Sequence, residues 1–288
     1  MGDLGISFYA ILNPQKEDGI TRLVTRDQIA GRCQFYLSQN PERIFLDTCL
    51  NIVPNEEAAA LGYYLLGVLN SAYAFSQLKA SSPVVFGRTV DLRVQALKEF
   101  RVPYEKSWAS TLSRESEKTA GELSAQPSIP EVTAVLRSKE DSIHTAIAAF
   151  ARKLETLHQA RRERVGNFIG WLETASGSPH DSWVSGTKVL DFPNIDLSEI
   201  VRILRVNEET VELQPHRRQE DFLSLKRNFD NSIAGIKELD VAIENLETAT
   251  NFAVYRLYGL TSEDVATLEG GSVEEIERRH AAFGLGSG

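Results

Sequence analysis

The strongest constraint on the fold is a repeating apolar pattern near the C-terminus. Apolar or small side chains recur there at alternating spacings of three and four residues, which places them in one stripe along a helix. The pattern predicts a long helix from about residue 218 to residue 258. The stripe consists of Ile236, Leu239, Ile243, Leu246, Thr250, Ala253 and Leu257.

A second stripe lies upstream and indicates another helical segment over about 129–175. Gly166 and Gly170 are expected to bend or interrupt that segment. Two helices with such seams can pack side by side at a small crossing angle, which predicts a coiled-coil-like pair. Between them, residues 177–194 are rich in turn residues and strand-like pieces, and residues 197–204 fit a short helix or a strand. The second stripe comprises Ile143, Ile147, Phe150, Leu154, Leu157, Val165, Phe168, Ile169 and Leu172.

The long helix ends in a stop signal, AVYRLYGLTSEDV, at residues 253–265. Gly259 can adopt the left-handed conformation that follows a helix, and Leu260 can fold back as the apolar contact of a Schellman motif. Thr261 is then an N-cap with Asp264 at the third helical position, a relative of the capping box. Punctuation between two helices is enough to explain this pattern without a function.

The N-terminal half has a different character. Short β-branched and aromatic runs, separated by Asn-Pro and Asp-Gly pairs, predict strands at 4–12, 20–24, 32–37 and 43–53. Residues 56–79 predict a helix whose apolar side chains wrap nearly all the way round, so we expect it to be buried.

These patterns together predict an α+β fold in two parts. A polar tract that ends near residue 127 is expected to be a loop or linker. Residues 1–125 are predicted to form a mixed sheet with a buried helix. Residues 126–288 are predicted to be mostly helical, with paired long helices and a small strand-turn insert near residues 177–195.

Three segments of this sequence resemble segments of a known family, and they follow one another along the chain in the same order as in that family. VYRLYGLTSEDVATLEG at 254–270 is similar to the C-terminal signature of large restriction–modification adenine methyltransferases, the Eco57I-like, TaqI-like and BREX-type enzymes. GYYLLGVLNSAYAFSQLK at 62–79 resembles the helix with Leu-Asn-Ser and an aromatic residue in their target-recognition domains. Residues 96–103 resemble the Leu-x-x-Phe/Leu-x-x-Pro strand that follows there. The resemblance marks Asn70, Ser71, Tyr258, Gly259 and Leu260 as structural motif residues.

The catalytic motifs of that family are missing from this sequence. Such enzymes transfer a methyl group from S-adenosylmethionine to adenine and need an Asn/Asp-Pro-Pro-Tyr/Phe motif. Asn13-Pro14 and Asn40-Pro41 do not continue in that way, and neither the glycine-rich cofactor loop nor a nuclease core is present. The resemblance therefore implies a specificity module with no catalytic, cofactor-binding or metal-binding residues. Any S-adenosylmethionine or Mg²⁺ is expected in a partner methyltransferase or nuclease domain or subunit.

Composition limits how such a module could bind DNA. The net charge is −9, with 40 acidic and 31 basic residues, so double-stranded DNA binding must rest on local basic patches. Phosphate contacts need Arg or Lys side chains on one face. Two groups of arginines are the candidates, and ordinary solvated surface charge is the alternative for each. They are Arg88, Arg93 and Arg101 after the Leu-Asn-Ser helix, and Arg22, Arg26 and Arg32 in the N-terminal strands.

Asn70 and Ser71 interrupt an otherwise apolar helix, which costs stability unless their polar atoms find partners. We expect Asn70 to hydrogen-bond the backbone of a neighbouring strand or loop and so fix the shape of the domain. Direct contact with DNA is the weaker alternative for this residue.

Other chemical constellations are weak. His158 with Glu155 and Glu163 fits a solvated helix surface better than a metal site. His180, Asp181 and Ser182 are adjacent, but a catalytic triad is defined by spatial rather than sequential proximity. Cys33 and Cys49 are too few for a disulfide framework and indicate a reduced setting.

The sequence therefore predicts a cytoplasmic DNA target-recognition module of a restriction–modification or phage-defence system, with adenine methylation supplied by another domain or chain. No stretch reaches 18 consecutive apolar residues, so no membrane span is expected. The alternative is a helical protein–protein interaction or assembly protein that does not bind DNA.

Overall fold

The computed structural model shows that this chain is mostly helical. Its two longest helices have 39 and 34 residues, whereas no described strand exceeds five residues. The α+β prediction with a mixed sheet was therefore wrong. The structure describes residues 2–3, 9–10, 22–26, 28–30, 35–38, 49–53, 61–82, 84–85, 89–91 and 94–283.

The described strands are short and all precede residue 105. Their pairings are antiparallel and form three small sheets with the orders β1–β9, β2–β6–β3–β5 and β4–β8–β7. Because turn-forming residues interrupt the β-branched runs every few residues, these runs do not build one large mixed sheet. The strands are β1 Gly2–Asp3, β2 Tyr9–Ala10, β3 Arg22–Arg26, β4 Gln28–Ala30, β5 Tyr36–Ser38, β6 Cys49–Val53, β7 Val84–Val85, β8 Thr89–Asp91 and β9 Pro103–Tyr104.

Helices account for most of the chain after residue 60. Four 3-10 turns join them, at Lys106–Ser110, Glu140–Ser142, His180–Ser182 and Gly186–Asp191. The α-helices are α1 Gly62–Leu69, α2 Ala72–Ala80, α3 Val94–Glu99, α4 Leu112–Glu122, α5 Ile129–Ser138, α6 Ile143–Ser176, α7 Leu197–Val206, α8 Gln219–Leu257, α9 Ser262–Glu269 and α10 Val273–Ala282. Within the ranges given above, no helix combines the length and apolarity needed to cross a bilayer.

The single helix predicted over 56–79 is two helices. α1 ends at Leu69 with Asn70 as its C-cap, and Ser71 is the N-cap of α2, whose hydroxyl accepts a hydrogen bond from the Ala74 N–H at 3.1 Å. Because Asn and Ser satisfy polar groups at helix ends better than inside a helix, the polar pair marks a break. Residues 56–60 lie outside the described residues. The apolar character of α1 does lead to burial, and Tyr64 and Val68 are fully buried.

The polar tract that was predicted to be a loop contains helix α4. Its buried face carries Leu112, Ser116 and Thr119. Small hydroxyl residues occupy two of these positions, so the sequence lacks the apolar periodicity that would have indicated a helix.

The predicted strand-turn insert contains no strand. Its two 3-10 turns are followed by α7, which decides between the helix and strand interpretations of residues 197–204. Upstream, α6 runs through Gly166 and Gly170, so the interruption predicted there as one of two alternatives is wrong, and the bend stays a prediction.

The long C-terminal helix is confirmed as α8, and its stop signal is confirmed in detail. Gly259 has a φ of 67°. The Leu260 N–H donates to the Tyr255 carbonyl at 2.9 Å, and the Gly259 N–H donates to the Arg256 carbonyl at 3.1 Å, which are the two bonds of a Schellman motif. Thr261 and Asp264 then form a reciprocal capping box at the start of α9.

The chain divides into two compact units. Unit 1 comprises Met1–Leu154 and Asn245–Gly288, and unit 2 comprises Glu155–Glu244. This division differs from the boundary at residues 125 and 126 that the composition suggested. The core of unit 1 includes the fully buried Tyr64 and Phe150, whereas unit 2 has its own core around Phe168, Phe192 and neighbouring aliphatic residues.

Candidate functional site

The structure describes three of the six candidate arginines, Arg22, Arg26 and Arg101. Arg22 and Arg26 are the first and last residues of β3, where their backbones pair with Ser38 and Cys49. Arg101 lies between α3 and β9, and its side chain is exposed. Arg32, Arg88 and Arg93 lie outside the described residues. Of the six arginines, only Arg101 has a described side chain.

Arg101 belongs to the short stretch Phe100–Tyr104, which runs from the end of α3 through β9 and which we call the Arg101 segment. Side chains alternate between the two faces of an extended chain. Val102 and Tyr104 are buried at 3% and 6% exposure, and the intervening Arg101 is exposed. At its C-terminal end the segment forms β9, in which Tyr104 pairs with Gly2 of β1. The burial of the alternate side chains thus presents Arg101 to solvent.

Two tyrosine hydroxyls hold the backbone of the Arg101 segment. The Tyr258 hydroxyl, at the end of α8, donates to the Arg101 carbonyl at 2.7 Å. The Tyr64 hydroxyl, in α1, donates to the Pro103 carbonyl at 2.6 Å. Because the two acceptors are carbonyls two residues apart, the segment is attached at two points along its length.

Both tyrosines stay protonated over a wide pH range. Burial raises the pKa of the Tyr64 hydroxyl well above its ordinary value, with a smaller contribution from the nearby Tyr258. Burial also raises the pKa of Tyr258, and Tyr73 adds to that effect. A protonated phenol is a hydrogen-bond donor, so neither attachment is expected to titrate near neutral pH.

An aromatic cluster surrounds the Tyr258 attachment. The Tyr73 and Tyr258 ring centroids are 4.3 Å apart, and the Phe100 ring lies 6.3 Å from each of them. Tilted aromatic contacts at such distances add to the stability gained from burial. The cluster joins α2, the Arg101 segment and the end of α8, three elements that are far apart in the sequence.

The Asn70–Ser71 break is tied to the same region of unit 1. The Asn70 side chain accepts a hydrogen bond from the Phe35 N–H at 2.8 Å and donates one to the Phe35 carbonyl at 3.0 Å. The expectation that Asn70 bonds the backbone of a neighbouring strand or loop is thereby confirmed, since Phe35 directly precedes β5. The Ala72 N–H donates to Asn251 of α8 at 2.9 Å. The break between α1 and α2 is therefore held by hydrogen bonds to Phe35 and to Asn251.

Sequence reasoning missed Tyr64, Tyr73 and Asn251. Tyr64 and Tyr73 lie inside the resembling 62–79 segment, where their aromatic character alone suggested burial. Asn251 follows Thr250 of the apolar stripe in α8, and a polar residue that borders such a stripe is a usable signal for a tertiary hydrogen bond.

Among the described residues, the other candidate groups of polar side chains do not come together as a catalytic triad or a metal site. His180 Nδ1 lies 2.5 Å from the Glu173 carboxylate, while the Ser182 hydroxyl donates to the Pro179 carbonyl, so no triad forms with Asp181. No cluster of three His, Cys, Asp or Glu side chains with the geometry of a metal site occurs in the part of the chain that the structure describes. Cys33 lies outside that part, and the backbone of Cys49 belongs to β6.

The geometry thus defines an exposed arginine on a short segment to which tyrosines of α1 and of the end of α8 are hydrogen-bonded. Comparisons with protein-family models, curated proteins and solved structures give no match to this chain.

Proposed function

We propose that this chain is the DNA target-recognition module of a restriction–modification or phage-defence adenine methyltransferase, and that another domain or chain supplies catalysis. The observation that carries the proposal is the convergence of three segments. The 62–79 helices, the 96–103 segment and the end of α8 each resemble that family, and they contact one another at the Arg101 segment.

The proposed mechanism is positioning. Exposed arginines would contact phosphates and fix the register of the module on a duplex, while other side chains read base edges in the grooves. A partner domain would then flip the target adenine out of the helix and methylate it. An arginine on a held backbone suits this role because little backbone conformational entropy remains to be lost on binding.

Salt dependence of duplex binding is the first test. We expect this chain to bind double-stranded DNA at low salt, with an affinity that falls steeply between 50 and 200 mM salt because counterions are released from the phosphates. Arg101→Ala should lower the slope of log K against log salt by about one if Arg101 contacts a phosphate. Fluorescence anisotropy with labelled duplexes measures both quantities.

A matched control exists for the charge change. Arg137, near the end of α5, is also exposed and also belongs to unit 1, but it lies outside the Arg101 segment. Arg137→Ala removes the same charge and is expected to leave the salt slope unchanged. If the wild-type chain shows no binding to a pool of random duplexes at low salt, the proposal is rejected.

A methyl-transfer assay tests whether catalysis belongs to another domain or chain. The isolated chain, incubated with S-adenosylmethionine and duplex DNA, is expected to leave adenine unmodified. Adenine methylation by the isolated chain would refute the assignment of catalysis to a partner.

One observation favours a helical interaction protein as the second candidate. Among the described residues, all large apolar side chains that are strongly exposed lie in unit 2, with the exception of Ile129. Where exposed apolar side chains form one contiguous patch, they mark surfaces at which proteins bind one another. This candidate predicts no duplex binding at any salt concentration, so the anisotropy titration separates the two. The exposed side chains are Val184, Leu190, Val206, Phe222, Leu223 and Val241.

A further inference from the structure

The backbone of Arg101 receives a hydrogen bond from a residue 157 positions away in the sequence. We infer that the Tyr258 hydroxyl is a positioning group for Arg101, which it holds in the orientation that contacts a DNA phosphate. This inference rests on the proposed function. It assigns a role to Tyr258 beyond helix punctuation, because the Schellman motif at Gly259 uses only backbone groups.

Tyr258 is itself held firmly, which a positioning group requires. It is the last residue before the left-handed Gly259, and its N–H donates to the Val254 carbonyl at 3.0 Å. Its ring packs at 4.3 Å from the Tyr73 ring. The hydroxyl is therefore fixed by the helix end and by α2 before it meets the Arg101 carbonyl.

Backbone hydrogen bonds hold the Arg101 segment on both sides of Arg101, and on the N-terminal side the Phe100 N–H donates to the Ala96 carbonyl at 3.1 Å. Tyr64 holds the carbonyl of Pro103, and β9 pairs Pro103 and Tyr104 with β1. Both of these attachments lie on the C-terminal side of Arg101. Tyr258 adds a hydrogen bond to the backbone carbonyl of residue 101 itself, so its loss is expected to widen the range of backbone orientations at Arg101.

The size of the expected effect follows from one hydrogen bond. The binding free energy lost with Tyr258→Phe cannot exceed the net free energy of this one hydrogen bond. The substitution should therefore weaken DNA binding by about two- to tenfold. This substitution keeps the aromatic ring and therefore the contact with Tyr73. The salt slope should stay unchanged, because the Arg101 charge remains present.

A double-mutant cycle identifies the route of the effect. Dissociation constants for a labelled duplex are measured for the wild type, Tyr258→Phe, Arg101→Ala and the double variant. If Tyr258 acts through Arg101, Tyr258→Phe has no further effect once Arg101 is replaced by Ala. An equal effect of Tyr258→Phe in both backgrounds overturns the inference.

Tyr255→Phe is the matched control, because it removes a hydroxyl three residues earlier in the same helix. That hydroxyl donates to Glu269 of α9 at 2.6 Å and not to the Arg101 segment. We expect Tyr255→Phe and Tyr258→Phe to lower Tm by similar amounts, and only the latter to change DNA affinity. Equal losses of affinity in both variants would mean that general destabilisation is the cause, which also overturns the inference.

The experiments distinguish a failure of the proposed function from a failure of the role inferred for Tyr258. Absence of DNA binding by the wild-type chain removes the proposed function and the inference together. Normal wild-type binding that Arg101→Ala leaves intact keeps the proposed function and removes only the role of Tyr258.

Discussion

Two asparagines in different units make the same backbone contact. Asn70 in unit 1 and Asn207 in unit 2 are each the C-cap residue of a helix. Asn70 bonds both the N–H and the carbonyl of Phe35, at 2.8 and 3.0 Å. Asn207 bonds both groups of Val184, at 2.7 and 3.1 Å. Each side-chain amide thus makes the two hydrogen bonds that a residue of a neighbouring β-strand would make. In this way it fixes a distant backbone to a helix end.

The two contacts differ in their surroundings and in how visible they are in the sequence. Asn207 also donates to the Ile203 carbonyl at 2.8 Å and is only 6% exposed. It follows an amphipathic helix and precedes polar residues, so nothing in the local pattern distinguishes it. Asn70 interrupts an apolar run and was therefore predicted to bond a backbone. The difference teaches that a polar residue is conspicuous in a sequence only where its neighbours are apolar.

The largest expected effect tests whether unit 2 depends on its turn region. A Cβ at Gly186 would lie 1.8 Å from the His180 carbonyl oxygen, which is backbone and cannot move aside cheaply. Gly186→Ala should therefore lower the free energy of unfolding by about 3 kcal/mol or more. Urea denaturation followed by Trp fluorescence measures the loss.

Gly170→Ala in the same unit is the control for that experiment. Nothing lies within 4 Å of a Cβ at Gly170, which is inside α6, so this change should stabilise the helix by about 0.5–1 kcal/mol. A Gly186→Ala protein as stable as the wild type would show that the turn can rearrange around His180.

The next effect compares the two asparagines directly. Asp keeps the acceptor oxygen but cannot donate, and its charge faces a carbonyl oxygen in both places. Asn207→Asp should cost about 2–4 kcal/mol because two donated bonds are lost in a buried site, and Asn70→Asp should cost about 1–2 kcal/mol. Hydrogen exchange at Phe35 and Val184 localises each loss.

The outcome of that comparison separates local from global roles. Asn207→Asp is expected to speed exchange at Val184 and leave Phe35 protected, and Asn70→Asp should do the reverse. Faster exchange at both amides in either variant would contradict independent contacts in the two units.

The smallest expected effect is acid destabilisation at two glutamates. The Ser128 N–H, and then the Ser128 hydroxyl, lower the pKa of Glu131 in unit 1 to about 2. The His180 N–H, and then the His180 side chain, lower the pKa of Glu173 in unit 2. A depressed pKa gives stability above the ordinary Glu value of 4.5 that is lost as pH falls through the folded-state value.

Glu131→Gln and Glu173→Gln make this testable. Because both carboxylates are near solvent, each should contribute less than about 1 kcal/mol. Each variant should lose less Tm than the wild type between pH 7 and pH 3. Parallel Tm curves for wild type and variants would exclude these two groups as sources of acid sensitivity.

Part of the candidate site could be predicted from the sequence. Arg101 was identified as a cation after the Leu-Asn-Ser helix, and Asn70 as a backbone contact. No local pattern indicates that Tyr64 and Tyr258 attach the Arg101 segment, because both hydrogen bonds join residues at least 39 positions apart. A phenol in an apolar helix shows no partner until the chain folds.

The sequence by itself determined the features that depend on short-range interactions. The span of α8, the left-handed Gly259 and the Thr261–Asp264 capping box all follow from residues a few positions apart. Tertiary structure alone decided the mostly helical fold, the burial of the Ser116 face of α4 and the exposure of Arg101. These features depend on contacts between distant segments, such as the 179-residue separation of Ala72 and Asn251, which no local pattern encodes.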